Sequence, residues 1–377
     1  MARIFHCADI HLDSPFSLFS PNEAERRRTE LRAAFTSALM FARNQKTELF
    51  FISGDLFDCE YVTRDTKEML INEFSKMPEC RFFIAPGNHD PYNSSSPYKT
   101  IEFPSNVHVF TENREVVSID ELGVDVYGVG FHSSVYRTSP VAGFTIKDKS
   151  RINILVCHGD ITSPMSDSGP ITKNEIAASG FDYIALGHIH KASGVLNENG
   201  VYYAYPGCIE GRGFDETGYK GALYGIIEKG RVELQQHIFS KRRYEIVTID
   251  LDGVADKMQA LERIRSKIRT YTEDTALRII LTGSVSEGFV ISANEIGRGC
   301  EYPYYIEIKD QTTVAPDFSE LEKSTTLKGV FYRKMTEYMQ EQPPASEEYF
   351  IALRALKYGL CALDDRNVID FGEGEDR

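Results

Sequence analysis

Along residues 1–240, short apolar runs alternate with longer stretches in which apolar residues recur every three to four positions. Residues 3–8, 49–52, 82–85, 152–156 and 183–186 are near-continuous apolar runs of strand length. Between them, residues 23–44 carry Leu31, Phe35, Leu39 and Ala42 at helical spacing. Residues 66–77 bring Met69, Leu70, Glu73 and Phe74 close to one helical face. Residues 172–179 open on Thr172 with Glu175 three positions on, a capping-box pattern. Further strands are predicted at 107–110, 124–129, 201–205, 222–227 and 232–239. This alternation predicts an α/β core: two sheets packed face to face under flanking helices.

The pattern changes near Lys241-Arg242-Arg243. Strand-like runs at 244–251, 276–282 and 304–308, with a helix at 254–271, read as a small α+β module. Residues 317–340 and 346–363 read as two amphipathic helices separated by Pro343-Pro344. In the second, Phe350, Leu353, Leu356, Leu360 and Leu363 fall at steps of three and four. The expected domains are therefore 1–240, 241–315 and 316–377, with a polar, frayed tail at 372–377.

Each of the five apolar runs stops at a polar tip. The tips are Asp9-Ile10-His11, Gly54-Asp55, Gly87-Asn88-His89-Asp90, His158-Gly159-Asp160 and Gly187-His188-Ile189-His190. Phosphodiester hydrolysis at neutral pH needs a hydroxide nucleophile and neutralisation of charge on phosphorus. Two cations about 3.5–4 Å apart do both. A shared carboxylate offsets their repulsion, and imidazole plus oxygen ligands suit Mn, Fe or Zn better than Ca. Asp9 with His11, and His188 with His190, stand in the same alternate relation, so both members of each pair can turn to one ion. Gly54 lets the backbone turn sharply and present Asp55. Asn88 offers an amide oxygen. His89, its neighbour, points elsewhere and is free for proton chemistry, with Asp90 as the expected acceptor for its other ring nitrogen. Any one of these motifs alone is more often a turn or a cap. The five together, each at a strand tip, point to metal-assisted phosphoester hydrolysis.

Composition narrows the partners. The formal charge of −14 weakens any reading in which the chain holds nucleic acid alone, because such binders are usually basic. A partner could supply the basic groove. None of the seven cysteines pairs at Cys-x-x-Cys spacing, which fits a reducing compartment. The first residues lack a signal-peptide pattern, and no apolar run is long enough to cross a bilayer. A cytoplasmic protein without a membrane is expected.

The motif set resembles the calcineurin-like metallophosphoesterase superfamily over about residues 1–240. The resemblance implies a first metal on Asp9, His11, Asp55 and His190. It implies a second on Asp55, Asn88, His158 and His188, with Asp55 bridging. His89 would contact the scissile phosphate and assist the leaving group, and manganese would be the activating ion. Ala8-Asp9-Ile10-His11-Leu12, Gly54-Asp55-Leu56-Phe57-Asp58 and Gly87-Asn88-His89-Asp90 resemble the DNA repair exonucleases, the SbcD-type and YhaO-like branch. So does Tyr205-Pro206-Gly207-Cys208, followed by 211–216, where Cys208 departs from the usual Ser. Asp58 stands where some relatives carry a substrate-positioning histidine.

In that branch the module at 241–315 would be a capping domain that contacts DNA. Arg265 and Arg269, at i and i+4 on its helix, and Arg212 are candidate substrate contacts; the alternative is a solvated helix face. The C-terminal helices would dock on an SMC-like coiled-coil ATPase of SbcC type, or else pack on their own domain. A homodimer is a further possibility of the branch. The resulting expectation is a manganese-dependent DNA nuclease, with exonuclease and single-strand endonuclease activity. The alternatives are a phosphodiesterase or phosphatase for nucleotides or small phosphoesters, and a non-catalytic adaptor that keeps the metals for structure.

Overall fold

The computed structural model describes all residues except 286–289, 298–302, 315–317, 344–345 and 364–377. The chain begins with β1 (Ala2–Cys7), α1 (Pro21–Asn44), β2 (Leu49–Ile52), α2 (Arg64–Ser75), β3 (Arg81–Ile84) and β4 (Val107–Val109). It continues through β5 (Glu115–Ile119), β6 (Val124–Gly128), β7 (Ile152–His158), α3 (Lys173–Ser179), β8 (Tyr183–Gly187), β9 (Leu196–Glu198) and β10 (Val201–Ala204). Then come β11 (Gly221–Glu228), β12 (Arg231–Ile238), β13 (Arg243–Asp250), α4 (Lys257–Ile268) and β14 (Thr275–Thr282). The last part holds β15 (Ser284–Val285), α5 (Ala293–Gly297), β16 (Tyr305–Asp310), β17 (Thr313–Val314), α6 (Phe318–Lys323), α7 (Leu327–Gln340) and α8 (Glu347–Leu363).

Two six-stranded sheets form the core, in the orders β12-β11-β1-β2-β3-β4 and β5-β6-β7-β8-β10-β9. Strands β1 to β4 are parallel neighbours, as are β6, β7, β8 and β10. Parallel strands covered on both faces must be apolar throughout, and Leu49-Phe50-Phe51-Ile52 is buried at every position. Alternation divides each strand between two layers. Ile4, Leu49, Phe51 and Phe83 face Val126, Ile154, Val156 and Ala185 between the sheets. Phe5, Phe50, Ile52 and Phe82 pack under α1 and α2 against Leu31, Phe35, Leu70 and Phe74. Leu155, Cys157, Ile184 and Leu186 pack under α3 against Ile176 and Phe181. The predicted two-sheet sandwich under helices is this α/β architecture.

His6 lies in the inter-sheet layer with both ring nitrogens engaged, at 2.8 Å from Tyr183 Oη and 3.1 Å from Ser53 Oγ. The capping box at α3 forms as its sequence implies. The expected helix 317–340 is instead two helices, because Thr326 caps a new N-terminus by accepting from Gly329 N.

The chain comprises two compact units. The larger spans Met1–Ile249, Leu261–Leu281 and Ile291–Asp310. It includes most of a third sheet, ordered β13-β14-β16, anchored by Tyr244 and Ala276 against Phe214. The smaller spans Asp250–Ala260, Thr282–Val290 and Gln311–Arg377. Within it Leu356 and Leu360 of α8 are buried with Tyr332, Phe331, Met335 and Met339 of α7. Two residues of the apolar stripe, for which docking on a partner and packing on its own domain were both open, are covered by the unit's own helices. Leu363 stays exposed. The side chain of Phe350, Pro344 and the tail at 372–377 lie outside the described residues. No helix among the described residues is long and apolar enough to cross a membrane.

Candidate metal centre

The carboxyl ends of β1, β2 and β3 meet those of β7 and β8 at one edge of the sandwich. After β1 the chain keeps pairing with the β2 loop through Asp9 N to Gly54 O (3.1 Å) and His11 N to Asp55 O (2.9 Å). The two loops are thus held in register while their side chains turn inward. Asp9, His11, Asp55 and His188 all have φ between 51° and 108°. Non-glycine residues rarely adopt this region, and such strain gathers at functional sites. Gly54, at φ 91°, has His158 Nδ1 where a Cβ would stand, only 2.1 Å away.

The protons on this edge can be assigned from its partners. His11 Nδ1 lies 2.9 Å from Asp58 Oδ1, and His190 Nδ1 lies 2.6 Å from Glu216 Oε1. His158 Nδ1 lies 2.9 Å from the carbonyl of Ser53. Carboxylates and carbonyls only accept, so wherever these rings carry a single hydrogen the contacts place it on Nδ1 and leave Nε2 as a lone pair. Those lone pairs converge. His11 Nε2 and His190 Nε2 are 3.3 Å apart. His158 Nε2 is 2.9 Å from Asn88 Oδ1. Asp55 Oδ2 lies between the two groups, 3.7 Å from His11 Nε2 and 3.5 Å from His158 Nε2. Asp9 Oδ1 is 3.8 Å from His190 Nε2. Acceptors brought this close repel one another unless a cation sits among them. The donor set, imidazole with carboxylate and amide oxygen, fits divalent transition metals. Asp9, His11 and His190 form one group that could hold an ion, and Asp9, Asp55 and His158 form another.

Electrostatics differ from ring to ring: burial acts to lower His190, but Glu216 and Asp9 outweigh it and hold that ring above the ordinary histidine value. Burial brings the pKa of His11 down to about 4, and that of His188 likewise to about 4, so both rings are neutral ligands at pH 7. Burial raises Asp9 above the ordinary carboxylate range. Burial also acts to raise Asp55, but His158, His11 and His89 outweigh it and hold that carboxylate below its ordinary value.

The profile described as calcineurin-like phosphoesterase matches residues 2–192. The chain belongs to this family. It is 26% identical over 296 residues to the uncharacterized metallophosphoesterase YhaO of Bacillus subtilis, covering 75% of this chain and 72% of that one. It is 23% identical over 334 residues to the DNA double-strand break repair protein Mre11 of Saccharolobus solfataricus, covering 84% of each chain. A third relative, the Mre11 of Methanopyrus kandleri, is 23% identical over 287 residues, which span 70% of this chain and 62% of that one.

The phosphoesterase edge brings together Asp9, His11, Asp55, Asn88, His158 and His190. His188 stands slightly apart. Its backbone N–H donates to both Asp9 carboxylate oxygens (3.0 and 3.1 Å), and its ring lies 5.2 Å from that of His158. His89 is at the rim, with a half-exposed ring, and its backbone N–H donates to Asp55 Oδ1.

Asp90 departs from its expected place beside the His89 ring. Its carboxylate accepts from Gly87 N (2.7 Å), Phe57 N (3.1 Å) and Tyr98 Oη (2.5 Å), and so ties the β3 loop to the β2 loop. The ring of His89 turns instead to the carbonyl of Asp58, 3.3 Å from Nδ1. Arg212 also departs: it pairs with Asp58 (2.8 Å) and Glu216 (3.0 Å) rather than facing open solvent. Arg265 bonds the carbonyls of Glu295 and Ile296. Arg269 lies one residue beyond the end of α4. Asp58 and Glu216, which hold the two facing imidazoles, were not singled out as site residues. Glu216 closes the 211–216 stretch that resembles the nuclease branch, but nothing in that stretch shows that it pairs with His190, 26 residues earlier. Asp58 stood in the Gly-Asp-Leu-Phe-Asp string and was the nearest to being legible. Cys208 is fully buried, its Sγ 3.7 Å from the His190 carbonyl.

Proposed function

We propose that the chain is a dinuclear-metal phosphodiesterase that acts on DNA as a repair nuclease, with manganese as its activating ion. The observation that carries the reading is the convergence of bare imidazole, carboxylate and amide acceptors beside a rim histidine. The relationship to two Mre11 proteins, one over 84% of both lengths, favours DNA as the substrate.

When bound, two divalent ions would lower the pKa of a water and neutralise charge gathering on phosphorus. The protein's own residues do the rest. Asp55, with Oδ2 3.7 Å from His11 Nε2 and 3.5 Å from His158 Nε2, would be the carboxylate shared between the two ions. The backbone amides of His188 and His89 fix the carboxylates of Asp9 and Asp55. His89 presents Nε2 to the rim while Nδ1 is held by the Asp58 carbonyl. With Nδ1 donating to that carbonyl, Nε2 carries a proton only in the imidazolium form, and from that form the proton can pass to the leaving oxygen. The acidic balance of the chain fits a nuclease subunit that borrows DNA affinity from an SMC-like ATPase. The exposed Ile351 and Leu363 of α8 are then candidates for that contact.

One observation favours a smaller phosphoester: Arg212, the cation nearest the paired imidazoles, is neutralised by two carboxylates. A single assay separates the readings. The protein is given Mn²⁺, with and without chelator, and offered labelled linear DNA beside a chromogenic diester. His89→Ala and Asp55→Ala run in parallel. Chelator-sensitive DNA cleavage lost in both variants is the expected result. Diester hydrolysis without DNA cleavage, even with the ATPase added, would favour the small substrate. DNA cleavage equal in all three proteins would exclude this site as its source.

A further inference from the structure

Five side chains close a ring behind the metal edge. His11 Nδ1 lies 2.9 Å from Asp58 Oδ1, and Asp58 Oδ1 lies 2.8 Å from Arg212 Nη1. Arg212 Nη2 lies 3.0 Å from Glu216 Oε1, which in turn is 2.6 Å from His190 Nδ1. The two imidazoles complete the ring through Nε2 atoms 3.3 Å apart. We propose that Arg212 is a positioning residue: its guanidinium clamps Asp58 and Glu216, and through them sets the separation and tautomers of His11 and His190. This rests on the metal reading above and deepens it.

The geometry suits a guanidinium and no other side chain. The planar fork gives one nitrogen to each carboxylate at a fixed spacing. The carboxylates come from loops far apart in sequence, after β2 and after β10, so no local backbone constraint holds them together. Glu216 is fully enclosed, with its side chain 2% exposed. Without a counter-charge it would have to move toward water, taking the His190 partner with it. Arg212 is itself fastened: its N–H donates to Glu216 Oε2 (2.7 Å), and its carbonyl accepts from Tyr244 Oη (3.2 Å) in β13. Asp58 is also one of three residues, with His11 and His89, whose ligand atoms gather closely enough to hold an ion of their own. By pairing with Asp58, Arg212 keeps that carboxylate on the ring of His11 and out of such a competing group.

The proposal opposes simple electrostatics in sign. Removing a cation beside a divalent ion should tighten metal binding by Coulomb attraction alone. Removing a clamp should loosen it, by about 10–100-fold for residues that orient metal ligands. The test is a Mn²⁺ titration of chelator-stripped protein, read by calorimetry and by the spin resonance of free Mn²⁺. It compares wild type, Arg212→Met, Arg212→Lys, Asp58→Asn and the Arg212→Met/Asp58→Asn double variant. Arg212→Met should bind Mn²⁺ at least about tenfold more weakly. The double variant should bind no worse than the weaker single, because both changes break one device. Arg212→Lys, reaching one carboxylate, should fall between.

Binding by Arg212→Met that is equal to or tighter than wild type overturns the proposal. So does unchanged Mn²⁺ affinity with a raised KM for diester, which would place Arg212 on substrate. Should Arg212→Met fail to fold by circular dichroism, Arg212→Lys decides by the same sign. Wild type that binds no Mn²⁺ removes the metal reading itself, and this is seen before any variant is made.

Discussion

Gly54→Ala tests whether the β2 loop is built around His158. Two costs add at this position. The backbone holds φ at +91°, a conformation that costs an L-residue about 1–2 kcal/mol. The new Cβ would stand 2.1 Å from His158 Nδ1 and 2.5 Å from its Cγ, so the ring would have to retreat by at least about 1.3 Å to reach ordinary contact. His158 is fully buried and donates to the Ser53 carbonyl; displacing it forfeits that hydrogen bond, about 1 kcal/mol, and adds overpacking strain of about 1–3 kcal/mol. The expected loss is about 3–6 kcal/mol. Gly123→Ala is the matched control: its φ is +63° and nothing lies within 4 Å of an added Cβ, so only the backbone cost, about 1–2 kcal/mol, applies. Urea unfolding gives both values. Mn²⁺ titration reads the site separately, and only Gly54→Ala should weaken it. Equal destabilisation of the two variants, with Mn²⁺ affinity intact in both, would refute the placement of His158 over Gly54.

Three further outcomes are expected. His89→Gln should lower kcat for a chromogenic diester by about 10²–10⁴-fold while Mn²⁺ affinity stays within twofold of wild type; a parallel loss of metal would make His89 a ligand instead. Burial brings His6 down to about 3 from its ordinary 6.5, so the folded state keeps the ring neutral while the unfolded chain protonates. Its contribution is fully present above pH 6.5 and is lost as pH falls toward 3, by at most about 5 kcal/mol. His6→Gln should remove that part of the acid destabilisation, and unfolding curves between pH 7 and 4 with the same slope in both proteins would contradict it. Leu360→Ala should destabilise the smaller unit by about 2–4 kcal/mol, measured by protease susceptibility of α7 and α8, and leave diester hydrolysis unaltered; a loss of hydrolysis would link this helix pair to the site.

The core was legible because its determinants are local and periodic. Leu49-Phe50-Phe51-Ile52 can only be a strand covered on both faces, and the spacing of Leu31, Phe35 and Leu39 can only bury one side of a helix. The five polar tips were legible for the same reason, since each ligand type follows its own strand. The break at Ser324 to Thr326 was not, because the apolar period runs through it and only the cap at Thr326 reveals two helices.

What the sequence by itself determined is the two-sheet architecture, the family and the side chains available for metal chemistry. What only the tertiary structure decided is how those side chains are held and which of them are already spent. Asp90 reads as a partner of His89 because the two are adjacent, yet its carboxylate closes on Gly87, Phe57 and Tyr98. Arg212 reads as a free cation near a phosphate site, yet it is clamped between Asp58 and Glu216. Hydrogen-bond and ion-pair partners are set by distances between segments that lie as much as 212 residues apart, as in Glu30 with Arg242. No period or spacing along a chain encodes such distances; they exist only once the sheets have packed.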